Sequence, residues 1–146
     1  MRRWVFTASK HLSVAECQTL NSLADTFIST WLSHGTPVRA THTLDFNCIL
    51  SIELQADSSS SGCSTDVLFR FIKMLETELQ CEWLNRKHVL LKRNNSFKIF
   101  HADSLPKHIP YSELKHFYLF DTIAFGMDGT MLPWVTADAT WLKSVY

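Results

Sequence analysis

The sequence predicts an α+β fold, a single-domain sandwich in which helices pack on one face of a mostly antiparallel sheet. Two long amphipathic helical patterns are separated and followed by short runs rich in β-branched and aromatic residues. The composition, 46% apolar and 19% charged over 146 residues, is that of an ordinary globular domain. No internal repeat or long linker divides the chain, so residues 1–146 read as one domain. The leading topology is a ferredoxin-like core with additions; the alternative is an open α/β sheet with parallel neighbours.

Residues 3–8 suit an opening strand, with Trp4 and Phe6 on one face. Ser13 and Glu16 stand at capping-box spacing, with Leu12 placed to staple against Cys17. They open the pattern Val14, Cys17, Leu20, Ala24, Phe27, Ile28 and Trp31, an amphipathic helix of about five turns. Gly35 and Pro37 follow where a C-cap glycine and a helix-ending proline are expected, which puts His34 at the negative end of the helix dipole.

Residues 39–54 alternate polar and apolar side chains and form either one long strand or a hairpin turning near Asn47. The serine-rich residues 55–61 are a polar loop. A second helix starts near Ser64 and carries Val67, Leu68, Phe71, Ile72, Leu75 and Leu79 on one face. Residues 83–91 and 96–100 read as two strands joined by a turn at Arg93-Asn94-Asn95. Pro110 precedes a short helix with Leu114 and Phe117 facing inward. Residues 122–125 read as a further strand closed by a turn at Gly126-Met127-Asp128-Gly129, and Trp134 and Trp141 as a tail folded back onto the domain.

Fourteen lysines and arginines balance fourteen aspartates and glutamates, and the densest basic stretch, Arg86-Lys87-His88 with Lys92-Arg93, is interrupted by Val89, Leu90 and Leu91. Nucleic acid is therefore a poor first guess. No window approaches the ~20 apolar residues that span a bilayer, and the basic start lacks the apolar core of a signal peptide. Cys17, Cys48, Cys63 and Cys81 form no C-x-x-C pair. The expected location is the cytoplasm, where they are free thiols.

The junction most suited to chemistry is Gly62-Cys63-Ser64-Thr65-Asp66. There a glycine admits a ligand to the backbone, and hydroxyls meet the free N–H groups and positive dipole of a helix start. Such a junction holds a carboxylate or phosphate. It also lowers the pKa of a cysteine whose sulfur points at the helix end. The structural alternative is that Ser64 caps the helix, Asp66 complements its dipole, Gly62 makes the turn and Cys63 fills a small gap. A thiol enzyme also needs a base, and the spacing of His34, His42, His88 and His101 selects none of them.

His101, His108 and His116 match no metal-ligand motif, and no other metal or cofactor is implied. Asp45 and Glu53 stand too far apart along a strand to make an acid/base pair. Neither G-x-x-x-x-G-K-[ST] nor G-x-G-x-x-G is present among only four glycines.

The chain resembles a family of short uncharacterised bacterial proteins. The resemblance rests on Trp31 with His34-Gly35-Thr36-Pro37, on Ser61-Gly62-Cys63-Ser64-Thr65-Asp66, on Phe71-Ile72-Lys73 with Leu75-Glu76, on an Asp121-Thr122-Ile123 strand, and on Trp134 and Trp141. It covers most of the chain, and Thr65 stands where the family usually has a hydrophobic residue. Some members carry the label of an ABC-transporter ATPase, a mislabel for a chain without a phosphate loop. The resemblance implies no reaction, cofactor or catalytic residue.

The expected function is a non-catalytic binding or interaction domain, with an anion site formed by Gly62, Cys63, Ser64, Thr65 and Asp66 and joined by His34. Its partner is a small anionic ligand or a protein. The alternative is a cysteine-dependent enzyme or thiol sensor that uses Cys63. A third reading is a homodimer joined through Trp83, Tyr111 or Tyr146.

Overall fold

A computed structural model of the chain describes residues 2–56, 58–128 and 133–146. Strand β1 (Arg3–Thr7) leads into helix α1 (Val14–Thr30). Ser13 caps α1 through both bonds of a capping box: its hydroxyl accepts the Glu16 N–H at 3.1 Å, and the Glu16 carboxylate accepts the Ser13 N–H at 2.9 Å. Leu20, Ala24 and Trp31 are buried on the expected face, whereas Val14, placed on it by periodicity, is 76% exposed because it opens the first turn beyond the core.

α1 ends at Thr30, and Gly35 does not cap it. The hydroxyls of Ser29 and Thr30 donate to carbonyl groups of the last turn, and Trp31 is already extended. Gly35 instead sits with His34 in the two-residue turn of a small hairpin, β2 (Leu32–Ser33) with β3 (Thr36–Pro37). Both turn residues have positive φ, +51° at His34 and +82° at Gly35, as such a turn requires. His34 is thus an exposed hairpin tip and not a helix terminus.

Residues 39–54 form a hairpin. β4 (Ala40–Asp45) and β5 (Ile49–Leu54) are antiparallel and turn through Phe46 and Asn47, both at positive φ. Phe46 is held in this unusual backbone region by stacking on Phe97 and by edge contacts with Phe120 and Trp134. β5 lies between β1 and β4, giving a three-stranded antiparallel sheet in the order β1-β5-β4. Trp4, Phe6, Leu50 and Ile52 face the helices: Phe6 meets Phe69 of α2 (Gly62–Leu79), and Trp4 meets Trp31. The split β-α-β arrangement is that of a ferredoxin-like core, but the strand after α2 does not join β1 and enters a separate sheet.

That second sheet has the order β7-β6-β8-β9 and is also antiparallel throughout. β6 (His88–Arg93) and β7 (Ser96–His101) turn at Asn94-Asn95, with Asn94 at positive φ. β6 begins five residues later than expected because the Glu76 carboxylate accepts the N–H groups of Trp83 and Leu84, clamping that segment onto α2. After a 3-10 turn, α3 (Leu105–His108) and a 3-10 helix at Tyr111–His116 cover one face of this sheet around Leu105, Ile109 and Leu114. β8 (Tyr118–Phe120) and β9 (Trp134–Thr136) complete it.

Residues 122–125, expected as a strand, belong to helix α4 (Thr122–Asp128). The Asp121 carboxylate accepts the N–H groups of Ile123 and Ala124, and this cap outweighs the β-propensity of Thr122 and Ile123. Gly126 lies within α4, where a Cβ would stand 3.4 Å from the Arg3 carbonyl oxygen, so it lets α4 close on the face of β1 away from α2. Gly129, the end of the expected turn, lies outside the described residues. Trp134 packs among Phe46, Phe97 and Phe120, but Trp141 is 47% exposed and does not fold back into the core. The larger core draws on both sheets, from Phe6, Leu50 and Ile52 to Leu90 and Phe120.

Candidate functional site

The start of α2 is built by serine side chains. The N-cap is Ser61, three residues before the expected Ser64. Its hydroxyl accepts the Ser64 N–H at 3.1 Å, while the Ser64 hydroxyl accepts the Ser61 N–H at 2.7 Å, a capping box with serine in place of glutamate. Ser64 is therefore buried at 1% exposure and serves the fold. Half-buried Thr65 also turns back, its hydroxyl donating to the Ser61 carbonyl at 2.9 Å.

Because the helix begins at Gly62, Asp66 falls in its second turn and does not complement the dipole from the first. Gly62 has ordinary negative φ and is a helical residue, so the turn does not depend on it. Cys63 fills no gap: Gly62, Cys63 and Asp66 are all exposed. Among the described residues, nothing accepts the N–H groups of Gly62 and Cys63. These two amides are the junction's available donors.

Three flanking elements, not singled out by the sequence, hold this helix start. Ser33, on the β2–β3 hairpin, donates its hydroxyl to Ser61 Oγ at 3.1 Å. Trp31 donates its buried indole N–H to the Ser64 carbonyl at 2.9 Å. Arg2 stacks over the Trp4 ring at 4.6 Å and donates to Ser60 Oγ at 3.3 Å, bringing a guanidinium to the approach loop. The loop is further pinned where the Arg39 N–H donates to Ser58 Oγ at 2.8 Å. His34 shares the hairpin with Ser33 but makes no hydrogen bond to the helix start.

Cys63 is the exposed thiol of the four, all of them unpaired. Burial pushes the Cys48 thiol up to about 12, with the Asp45 carboxylate adding to the effect. Burial is also the main cause of the upward shifts at Cys17 and Cys81. No histidine is hydrogen-bonded to Cys63 among the described residues. His42 donates from Nε2 to Asp25 Oδ1 at 2.6 Å, and His88 donates from Nε2 to Glu82 Oε2 at 2.6 Å. The His88 and Asn85 hydrogen bonds hold the Glu82 carboxyl below its ordinary range. His101 accepts the Asp103 N–H at Nδ1. Each of these histidines serves its own local structure.

Among the described residues, no group of three or more His, Cys, Asp or Glu side chains could hold a metal ion. No helix there is long and apolar enough to cross a membrane. Of the aromatic residues proposed for a dimer surface, Trp83 is core at 2% exposure, while Tyr111 and Tyr146 are exposed and pack edge to face at 5.4 Å. No protein-family model, no curated protein and no solved structure matches this chain.

Proposed function

We propose that this protein is a non-catalytic binding domain whose α2 start receives an anionic group, from a small ligand or from the carboxylate of a protein partner. The observation that carries this reading is that the amides of the exposed residues Gly62 and Cys63, at the positive end of an 18-residue helix, have no acceptor among the described residues. Arg2, which precedes β1 and donates to Ser60 of the approach loop, adds positive charge. The reading removes Ser64 and Thr65 from the contact set, since both are used in the cap. It also leaves out His34, which has no bond to the site. The four free thiols fit a reducing, cytoplasmic setting.

The test is a titration with inorganic phosphate followed on the amide resonances of Gly62 and Cys63. Saturable shifts at those two residues support the reading, and their immobility overturns it. A second reading, a thiol sensor, is favoured by one observation: Cys63 is an exposed thiol in the first turn of α2. Rapid, reversible oxidation of native protein by dilute peroxide, abolished in Cys63→Ser, supports the sensor. Resistance to oxidation removes it.

A further inference from the structure

We propose that a second site, a cleft of about 440 Å3 on the β6–β7 face, binds a small amphipathic anion, an acidic head carried on an apolar body. The pairing of Leu91 with Lys98 and of Arg93 with Ser96 sets these four side chains and Phe100 on one face of the hairpin. The cleft is lined by that face and by Ile109 and Phe117, which follow α3 and the Tyr111–His116 helix. Its floor is apolar: Leu91 and Ile109 are buried, and Phe100 and Phe117 are half-buried. Its volume is in the range of small-molecule sites.

The rim carries two cations, Arg93 and Lys98, with the His108 imidazole beside them. Lys98 and His108 are exposed and have no acidic partner among the described residues. Arg93 is shared between Glu113, at 3.2 Å, and the face of the Phe117 ring, 5.4 Å away. His108 lies over the floor, its ring centre 6.0 Å from that of Phe100. The surrounding segment is basic: residues 86–118 hold seven of the fourteen lysines and arginines and two of the fourteen acidic residues, and of the seven Arg93 and Lys98 line the cleft.

These cations do not form the extended track that a phosphate backbone needs. Lys87 is paired with Asp103 at 2.7 Å, and Lys92 lies over Trp134 on the opposite face of the sheet. Arg93 and Lys98, with His108 beside them, line one cleft over an apolar floor, which is complementary to one negative head on one apolar tail.

The probe is decanoate below its micelle concentration, with decanol and inorganic phosphate as its separate halves, followed on the side-chain resonances of Phe100, Phe117 and His108. Decanoate is expected to shift all three and saturate, and to bind about tenfold or more tightly than either half. Lys98→Glu, at an exposed strand position, is expected to weaken decanoate about tenfold or more and to leave decanol unchanged. Lys98→Met replaces it if the glutamate variant does not fold, with the same direction expected. Decanoate that moves none of these resonances overturns the proposal, as does decanol binding as tightly as decanoate with no effect of Lys98. Phosphate binding as tightly as decanoate reduces the site to surface charge and also overturns it. A short single-stranded oligonucleotide that binds more tightly and depends on Lys98 reassigns the face to nucleic acid.

Discussion

The Trp31 indole N–H donates to the Ser64 carbonyl oxygen at 2.9 Å in the protein interior, joining the end of α1 to the first turn of α2. Trp31 also makes ring contacts with Trp4 and Phe27, so one side chain fixes the hairpin root, the opening strand and the helix start together.

Trp31→Phe keeps an aromatic ring but removes the donor and part of the ring volume. The expected cost is about 2 kcal/mol, from one buried hydrogen bond and lost packing. Chemical denaturation measures it. The amide resonances of Gly62 and Cys63 should shift in the same variant, because the helix start loses its anchor. A stability change confined to a few tenths of a kcal/mol contradicts the anchoring role.

The α1 cap makes a pH prediction. Hydrogen bonds from Lys10, first, and from the Ser13 N–H hold Glu16 at about 2 against an ordinary 4.5. A carboxyl whose folded pKa is lowered contributes its full stability above about 4.5 and loses it as pH falls from there toward about 2. Wild type and Glu16→Gln should therefore differ most near neutral pH and converge as pH approaches 2. Urea melts across that window measure the difference, and a gap independent of pH contradicts it.

The thiols should separate by exposure. Alkylation of native protein is expected to modify Cys63 first and to leave Cys48 untouched until unfolding, since Cys48 is buried and its thiol is pushed up to about 12. Mass spectrometry of timed samples, with Cys63→Ser as control, reads the order. Early labelling of Cys48 contradicts the packing of the β4–β5 turn against the core.

Local signals in the sequence were legible where one physical effect dominated. Ser13, Glu16 and Leu12 specify the α1 start, and the alternation of residues 39–54 specifies strand character, but only the structure decides for a hairpin over one long strand. Competing effects hid the rest. A glycine at position 35 suits a hairpin turn as well as a helix end, and only the stop of α1 at Thr30 decides for the hairpin. The strand formers Thr122 and Ile123 lost to a cap supplied by Asp121. The serine at 64 has the chemistry of an N-cap, but Ser61 lies at the matching position three residues earlier and takes that role. Ser33, Arg2 and Trp31 are brought to the site by tertiary contacts that no sequence spacing encodes.

Asp66 stands one helical turn from Gly62, on the same side of α2, and is exposed. Its carboxylate opposes an incoming anion. Asp66→Asn is expected to tighten phosphate binding at the α2 start by about two- to fivefold at low salt, with the gain falling as salt screens the charge. Unchanged affinity at low salt places the bound anion elsewhere.

The most direct measurement is the phosphate titration repeated on Gly62→Pro. Proline is accommodated at the first helical position, and the extended backbone of Ser61, φ −104° and ψ 173°, suits a residue preceding proline. The substitution removes one of the two free amides and leaves the helix in place. An unchanged or slightly raised melting temperature is expected, with the phosphate affinity, read at the Cys63 amide, reduced about fivefold or more. Full phosphate affinity in a folded Gly62→Pro variant contradicts an anion site built on the backbone of this helix start.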